Sequence, residues 1–407
     1  MKLLYILYYY NNIIYINIIF QLFRVTKVVF FPFSHFPFSQ KFRVEIASIF
    51  ELFCIFASKL FEQMTEYSYN IYDWLIPKIE EEAVVLDLFA GCGGLSLGFE
   101  AAGFRTIGYE MVDAAVDTYN RNLKGTCHNQ FLEVGFEYPE SDKIDIIIGG
   151  PPCQPFSRFG NQKGIEDARD GFPVFIDAVK RLMPKAFLFE NVANILGRHK
   201  WYLELVIAEL RKLGYVIEYR ILNAVDYGVP QNRERLICVG HRSTFRFPKK
   251  EQKRVTVEEA IGDLMTKFDE NSKFLTPEQE RYIAVYEEKS HCINPRDLHP
   301  DKPARTITCR NLAGATSDMQ RVKLPDGRRR RIEVREAARL QSFPDWFEFC
   351  GTETRQFYQI GNAVPPLLAY KLALALKETY HSSPKMEAEI REINIFQEQT
   401  LFNTVCL

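Results

Sequence analysis

Apolar residues along this chain fall into two spacings that mark its elements. Continuous apolar runs predict buried strands over residues 83–89, 105–109, 144–148 and 186–189. Apolar residues three and four apart predict helices over 114–123, 175–182, 201–213 and 334–342. Leu368, Leu372 and Leu376 form the stripe of a last helix that opens with Pro365 and Pro366, where proline fits. Strands over 216–223 and 235–240 are joined by so short a link that a hairpin is expected, not a crossover. Strand alternating with helix predicts an α/β fold around a mostly parallel sheet. Residues 125–143 carry no clear pattern. From 241 to about 303 the pattern also weakens, as in a second, smaller domain or a long insertion. Strand-like alternation resumes at Arg305-Thr-Ile-Thr-Cys-Arg310.

The strand ends carry the candidate chemistry. The first strand runs into Ala90-Gly-Cys-Gly-Gly94 and then a helix. Glycines admit a ligand close to the backbone, and a helix N-terminus offers free amides and the positive end of its dipole. The spacing is not Gly-x-Gly-x-x-Gly, so a dinucleotide is not the first choice, and a purely structural turn stays open. Glu110 ends the second strand, placed either to accept both hydroxyls of a ribose or to sit solvated in a loop. The strand over 144–148 leads into Gly149-Gly-Pro-Pro-Cys-Gln-Pro-Phe-Ser157, a stiff loop presenting Cys153 where open α/β sheets keep their chemistry. The plain alternative is a cysteine acting as a small buried hydrophobe. Glu190 ends the next strand and is expected on the same sheet edge as Cys153. Arg233 and Arg235 flank Glu234 and should face one side, at the site or as surface ion pairs. Residues 159–171 are polar and glycine-rich, as a mobile lid would be. Arg328, Arg329, Arg330 and Arg331 follow an Asp326-Gly327 turn signal and form the best local basic patch for a polyanion, although such runs are commonly solvated.

Composition narrows the reading. The chain has 407 residues, 47% hydrophobic and 25% charged, enough for one large domain and a smaller one. The net charge of −1 means that any nucleic-acid footprint must be local. Nine cysteines stand singly, without a Cys-x-x-Cys pair, which argues against a zinc site. Their odd number, with no secretory signal, fits the reducing cytoplasm. Residues 1–63 are rich in Ile, Tyr, Phe and Asn. Residues 3–23 are uncharged and long enough to span a membrane, but Asn11, Asn12, Asn17 and Gln21 interrupt them. Three readings stand for this segment: sequence upstream of a functional start at Met64, a membrane anchor, or a docking segment.

Six blocks, in order over roughly 84–377, resemble the DNA cytosine-5 methyltransferases of the bacterial restriction–modification type. They are the turn from Asp87 to Gly94, the loop from Gly149 to Ser157, Glu190-Asn-Val192, Gln231-Asn-Arg-Glu-Arg235, Arg335-Glu-Ala-Ala-Arg-Leu-Gln-Ser-Phe-Pro344, and Gly361-Asn-Ala-Val364. The resemblance implies a Rossmann-like S-adenosylmethionine-dependent domain and methyl transfer to carbon 5 of a cytosine flipped out of double-stranded DNA. It makes Cys153 the nucleophile at carbon 6. Glu190 would contact ring N3 and the amino group, and Arg235 the base oxygen, with Arg233 beside it. Phe89, Gly91, Gly93, Glu110, Met111, Pro152, Asn362 and Val364 would hold the cofactor. Thr306, paired with Ile307, would lie near the flipped base.

The implied organisation is an N-terminal extension over 1–63, a catalytic domain over 64–240, a target-recognition domain over 241–331, a return to the catalytic domain over 332–381, and a tail. The small recognition domain suggests one short target sequence. A cytoplasmic monomer without metal, guarding DNA from a partner restriction endonuclease, completes the expectation. Two features depart from the family pattern. Its Asp-Ile pair for the adenine amino group has no clear counterpart in His128-Asn-Gln-Phe-Leu-Glu133, and residues 170–175 form a longer segment than is common. An RNA methyltransferase on the same fold lacks support, because the Cys-Phe-Thr signature of the tRNA-methylating branch is missing. A DNA-binding protein without catalysis would need no Cys153, Glu190 and Arg235 together.

Overall fold

A computed structural model describes residues 64–139, 143–152, 170–197, 199–289, 291, 296–313 and 319–381. The expectations for residues 1–63, Cys153, the lid up to 169 and the tail from 382 lie outside these residues. The chain from Met64 onward makes one compact unit.

Helix α1 (Glu66–Trp74) starts at Thr65, whose side chain accepts from the Ser68 amide. A strand–helix alternation follows. It runs β1 (Val84–Leu88), α2 (Gly94–Ala101), β2 (Arg105–Glu110), α3 (Asp113–Asn122), β3 (Thr126–Asn129), β4 (Ile144–Gly149), α4 (Phe172–Leu182), β5 (Ala186–Val192), α5 (Lys200–Lys212), β6 (Val216–Asn223) and β7 (Glu234–His241). These strands form one seven-stranded sheet in the order β3-β2-β1-β4-β5-β7-β6. Every neighbouring pair from β3 to β5 is parallel, and β7 runs antiparallel between β5 and β6. The predicted hairpin is therefore present. The fold is a Rossmann-like α/β sandwich.

Period-two alternation splits the core between the two sheet faces. Val85, Ile146, Ile148 and Leu188 pack to one side, with α2 and the C-terminal helix. Leu86, Leu88, Ile147, Phe187 and Phe189 pack to the other, with α4 and α5. Because both faces are covered, the strands read as continuous apolar runs.

The remaining elements are α6 (Val257–Met265), α7 (Pro277–Lys289), α8 (Cys309–Ala313), the ribbon of β8 (Arg321–Lys323) and β9 (Arg329–Arg331), α9 (Val334–Leu340), α10 (Glu353–Asn362) and α11 (Pro366–Tyr380). A capping box between Thr256 and Glu259 starts α6, and Pro365 and Pro366 open α11 as expected. Helix α11 returns across the molecule to pack on α2. A Cβ on Gly98 would lie 2.4 Å from the Tyr370 backbone nitrogen. Glycine is what permits this approach.

Two expectations change. The stretch from Arg305 to Arg310 is not a strand. One parallel bridge, between Gln231 and Ala304, precedes it, and it then enters α8, because side chains satisfy the Ile307 amide and carbonyl. The unpatterned segment after Gly125 contains the short edge strand β3, where half-exposed polar residues hide the pattern. No helix among the described residues is long and apolar enough to cross a membrane.

Candidate active site

The strand order reverses between β1 and β4, which lie side by side with Leu88 opposite Gly149. Crevices in open α/β sheets form beyond strand ends at such a reversal. The glycine turn after β1 and the Gly149–Gly150–Pro151–Pro152 turn after β4 are thus neighbours. Asn191, on the far side, donates from Nδ2 to the Pro151 carbonyl at 3.0 Å and ties the second turn to β5. Sequence reasoning did not single out Asn191. The signal was available in its place beside Glu190, since adjacent strand residues point to opposite faces.

Glu190 and Arg235 meet at this edge. Their strands are antiparallel, with Glu190 opposite Ile237 and Val192 opposite Arg235. Residues two apart share a face, so the two side chains meet on the diagonal. Arg235 Nε lies 2.7 Å from Glu190 Oε1, and each side chain is 12% exposed. The other carboxylate oxygen faces the second turn. A Cβ built on Gly150 would lie 3.7 Å from Glu190 Oε2. The arrangement is a nearly dry carboxylate, oriented by a guanidinium, beside the loop that continues to residue 153.

Arg233 does not join this pair as expected. It is buried, and its guanidinium is occupied by three backbone carbonyls. Nη1 donates to Ile307 O at 2.6 Å, and Nη2 donates to Gly361 O at 3.0 Å and Ala363 O at 2.9 Å. Burial, and then the nearby charge of Arg235, push its pKa down. Those donors are engaged away from the Glu190–Arg235 pair. Thr306 is held beside it, donating from Oγ1 to Asn232 O at 2.6 Å.

At the other side of the reversal, Phe89, Gly91 and Gly93 all have positive φ, at 59°, 55° and 85°. Glycine suits two of these positions, whereas Phe89 is a non-glycine residue held in a strained region. A Cβ on Gly91 would touch nothing within 4 Å, so the turn faces open space. Glu110 braces the turn, accepting from the Gly91 amide at 3.0 Å and the Val112 amide at 2.9 Å. Asp87 lies beneath it, buried. Its Oδ2 accepts from Ser96 Oγ at 2.7 Å, and its Oδ1 has no partner. Burial raises the Asp87 pKa to about 7, against the Ser96 hydrogen bond and with help from Glu110.

Phe89 and Pro152 approach each other around Gly171, where a Cβ would lie 3.0 Å from the Phe89 ring and 2.5 Å from Pro152 Cδ. Met111 is 59% exposed at the rim. Asn362 is the last residue of α10 and exposed, while Val364 is buried with its carbonyl against the start of α2.

The arginine run does not form the basic patch expected of it. Arg330 is fully buried in a bidentate pair with Glu336, at 2.7 and 2.8 Å. Arg329 pairs with Asp297 and Glu280, and Arg331 donates to the Leu312 and Ala313 carbonyls. Arg328 is the exposed member, paired with Asp326 and lying over the Phe268 and Phe274 rings. The physical reason is β9: a strand inside a folded region sends its side chains to internal carboxylates from α7, α9 and the segment before β8. No group of three or more His, Cys, Asp or Glu side chains is placed to hold a metal among the described residues.

Comparison with known proteins places these features in context. The family model for C-5 cytosine-specific DNA methylase matches residues 84–378. The chain is 55% identical over 308 residues to the Type II methyltransferase M.AplI of Arthrospira platensis, covering 75% of this chain and 89% of that protein. It is 34% identical over 350 residues to M.FnuDI of Fusobacterium nucleatum, covering 77% and 99%. Among solved structures, a DNA modification methyltransferase encoded within an E. coli prophage superposes with a TM-score of 0.54 at 25% identity, covering 74% of this chain and all of that one. An Entamoeba histolytica methyltransferase shares the fold, with a TM-score of 0.57 at 18% identity and the same coverage.

Proposed function

The chain belongs to the C-5 cytosine-specific DNA methylase family and is a Type II DNA cytosine-5 methyltransferase, and from that premise we propose how its residues perform the reaction. The observation that carries the proposal is the Glu190–Arg235 pair, set beside the turn that leads to Cys153.

The cofactor residues fit S-adenosylmethionine. The turn offers open space at Gly91, an aromatic face at Phe89 and the Glu110 carboxylate. Negative charge at the turn favours a cationic ligand and disfavours a pyrophosphate. Phe89, Met111 and Pro152 would line the adenine side, Glu110 the ribose, and Gly91, Gly93, Asn362 and Val364 the remainder. When bound, S-adenosylmethionine supplies an electrophilic methyl group on a sulfonium sulfur.

The chain's own residues prepare the acceptor. Carbon 5 of cytosine is a weak nucleophile, and the target base must leave the stack to be reached. The Cys153 thiolate forms a bond to carbon 6, and the displaced electron pair moves into the ring toward carbon 5 and N3. Glu190 holds the proton at N3 and accepts from the exocyclic amine, which stabilises that shift. Arg235 holds Glu190 in place and neutralises charge at the base oxygen. Once carbon 5 carries the methyl group, loss of its proton returns the electron pair, breaks the sulfur–carbon bond and releases Cys153. Thr306 lies toward the DNA side.

The Type II relationship supports a role in protecting DNA from a partner endonuclease. Bisulfite sequencing of DNA from cells expressing the protein tests the activity and reads the target together. Conversion of every cytosine, with no protected motif, contradicts the proposal.

A further inference from the structure

Among the described residues no carboxylate pairs with the buried Arg233 cation. Its guanidinium hydrogen bonds reach two chain segments far apart in sequence, at Ile307 and at Gly361–Ala363. Gln231 and Gln341, both fully buried, extend the same lattice. Gln231 accepts from the Ile307 amide at 2.8 Å and donates to the Leu340 carbonyl at 3.1 Å. Gln341 donates to Ile360 O at 3.0 Å and to Ala363 O at 2.7 Å. The Ala363 carbonyl therefore accepts from both Arg233 and Gln341.

The lattice touches each side of the reaction. Arg233 lies two residues before Arg235 on the way into β7. Ile307 follows Thr306. The segment from Gly361 to Ala363 continues to Val364, whose carbonyl packs against the first residue of α2, at the glycine turn. A carbonyl next to Gly94 leaves little room, since a Cβ there would approach Val364 O to 2.6 Å. Displacing Gly361–Val364 would thus displace the edge of the cofactor turn.

We propose that Arg233 is a positioning residue: its guanidinium clamps the Thr306–Ile307 segment and the Gly361–Val364 segment onto the base of β7. Base-facing, DNA-facing and cofactor-facing groups are thereby held in one register. Its role differs from that of Arg235, which touches Glu190. The inference rests on the methyltransferase reading given above. A shift of about 1 Å in such a constellation costs up to about a hundredfold in rate. Lysine at this position reaches only part of the carbonyl set, because it lacks the planar fork.

The test compares Arg233→Lys, Gln341→Met and the double variant with the unaltered protein. Methyl transfer to unmethylated plasmid DNA gives kcat and both KM values, and calorimetry gives the affinity of the free enzyme for S-adenosylhomocysteine. Gln341 is fully buried, so it isolates positioning from chemistry. The expected result is a kcat lowered about tenfold to a hundredfold in Arg233→Lys. Gln341→Met shows a smaller fall, and S-adenosylhomocysteine affinity weakens in the same order, because the clamp also holds the Gly361–Val364 edge of the cofactor turn. The double variant falls no further than the worse single, because the two side chains share the Ala363 carbonyl. Multiplying losses in the double variant overturn the inference, as does a kcat within twofold of normal in folded Arg233→Lys. An unaltered protein with no activity on DNA would instead sink the methyltransferase reading.

Discussion

Glu190 and Arg235 lie on adjacent antiparallel strands, offset by two rungs, and their side chains meet at 2.7 Å across the diagonal. Neither strand alone would orient the carboxylate. β5 supplies it at the sheet edge, and β7 supplies the guanidinium that fixes it. Glu190→Gln keeps the shape and removes the charge. Its kcat for methyl transfer should fall by about a hundredfold to ten-thousandfold. S-adenosylhomocysteine affinity, measured by calorimetry, should stay unchanged.

The arginine run should behave as structure. Glu336→Ala leaves the buried Arg330 charge without its carboxylate and should destabilise the fold by about 3–5 kcal/mol. Arg328→Ala, at an exposed position, should leave the urea midpoint unchanged. A basic DNA patch would give the opposite pattern, with little stability change and weaker binding at each position.

Asp87 makes stability depend on pH. Its folded pKa is raised to about 7, mainly by burial, well above the ordinary aspartate range. The unfolded chain gives up this proton first, so the contribution is fully present below about pH 4 and is lost as pH rises through 7. Asp87→Asn keeps an acceptor for Ser96 but cannot ionise. Urea unfolding between pH 5 and 8 should show a flatter pH dependence in Asp87→Asn than in the unaltered protein.

The α2–α11 contact should be intolerant of bulk. Gly98→Ala places a methyl group 2.4 Å from the Tyr370 backbone nitrogen and 2.5 Å from the Ala369 carbonyl carbon. Backbone cannot yield as a side-chain tip can, so a loss of about 1–3 kcal/mol or more is expected in a denaturant titration. A neutral or stabilising Gly98→Ala would contradict the close packing.

The strands β1, β2, β4 and β5 were legible because both faces of the sheet are covered, which turns stretches such as Ile146–Ile147–Ile148 into continuous apolar runs. Glu110 and Glu190 were legible as carboxylates at strand ends, since the parallel order alone puts them on one edge. The partners of the arginines were not legible. Arg330 meets Glu336, and Arg329 meets Asp297, only because the β8–β9 ribbon folds against α9 and the segment before it. Arg233 and Arg235 look equivalent in sequence, yet one binds carbonyls and the other a carboxylate, a difference set by what packs around each. In sequence Asp87 is only one position of a motif, and its burial and unpartnered oxygen depend on the surrounding turn.

The central claim is a covalent bond between Cys153 and carbon 6 of the target cytosine. Duplex DNA containing 5-fluorocytosine at the target tests it directly, because fluorine cannot leave carbon 5 as the proton does, and the adduct persists. Incubated with S-adenosylmethionine, the unaltered protein should give a denaturation-resistant protein–DNA band, with Cys153 the modified residue by peptide mass spectrometry. Cys153→Ser should give none. A methylating enzyme that yields no such band, or an equal band from Cys153→Ser, would contradict the account.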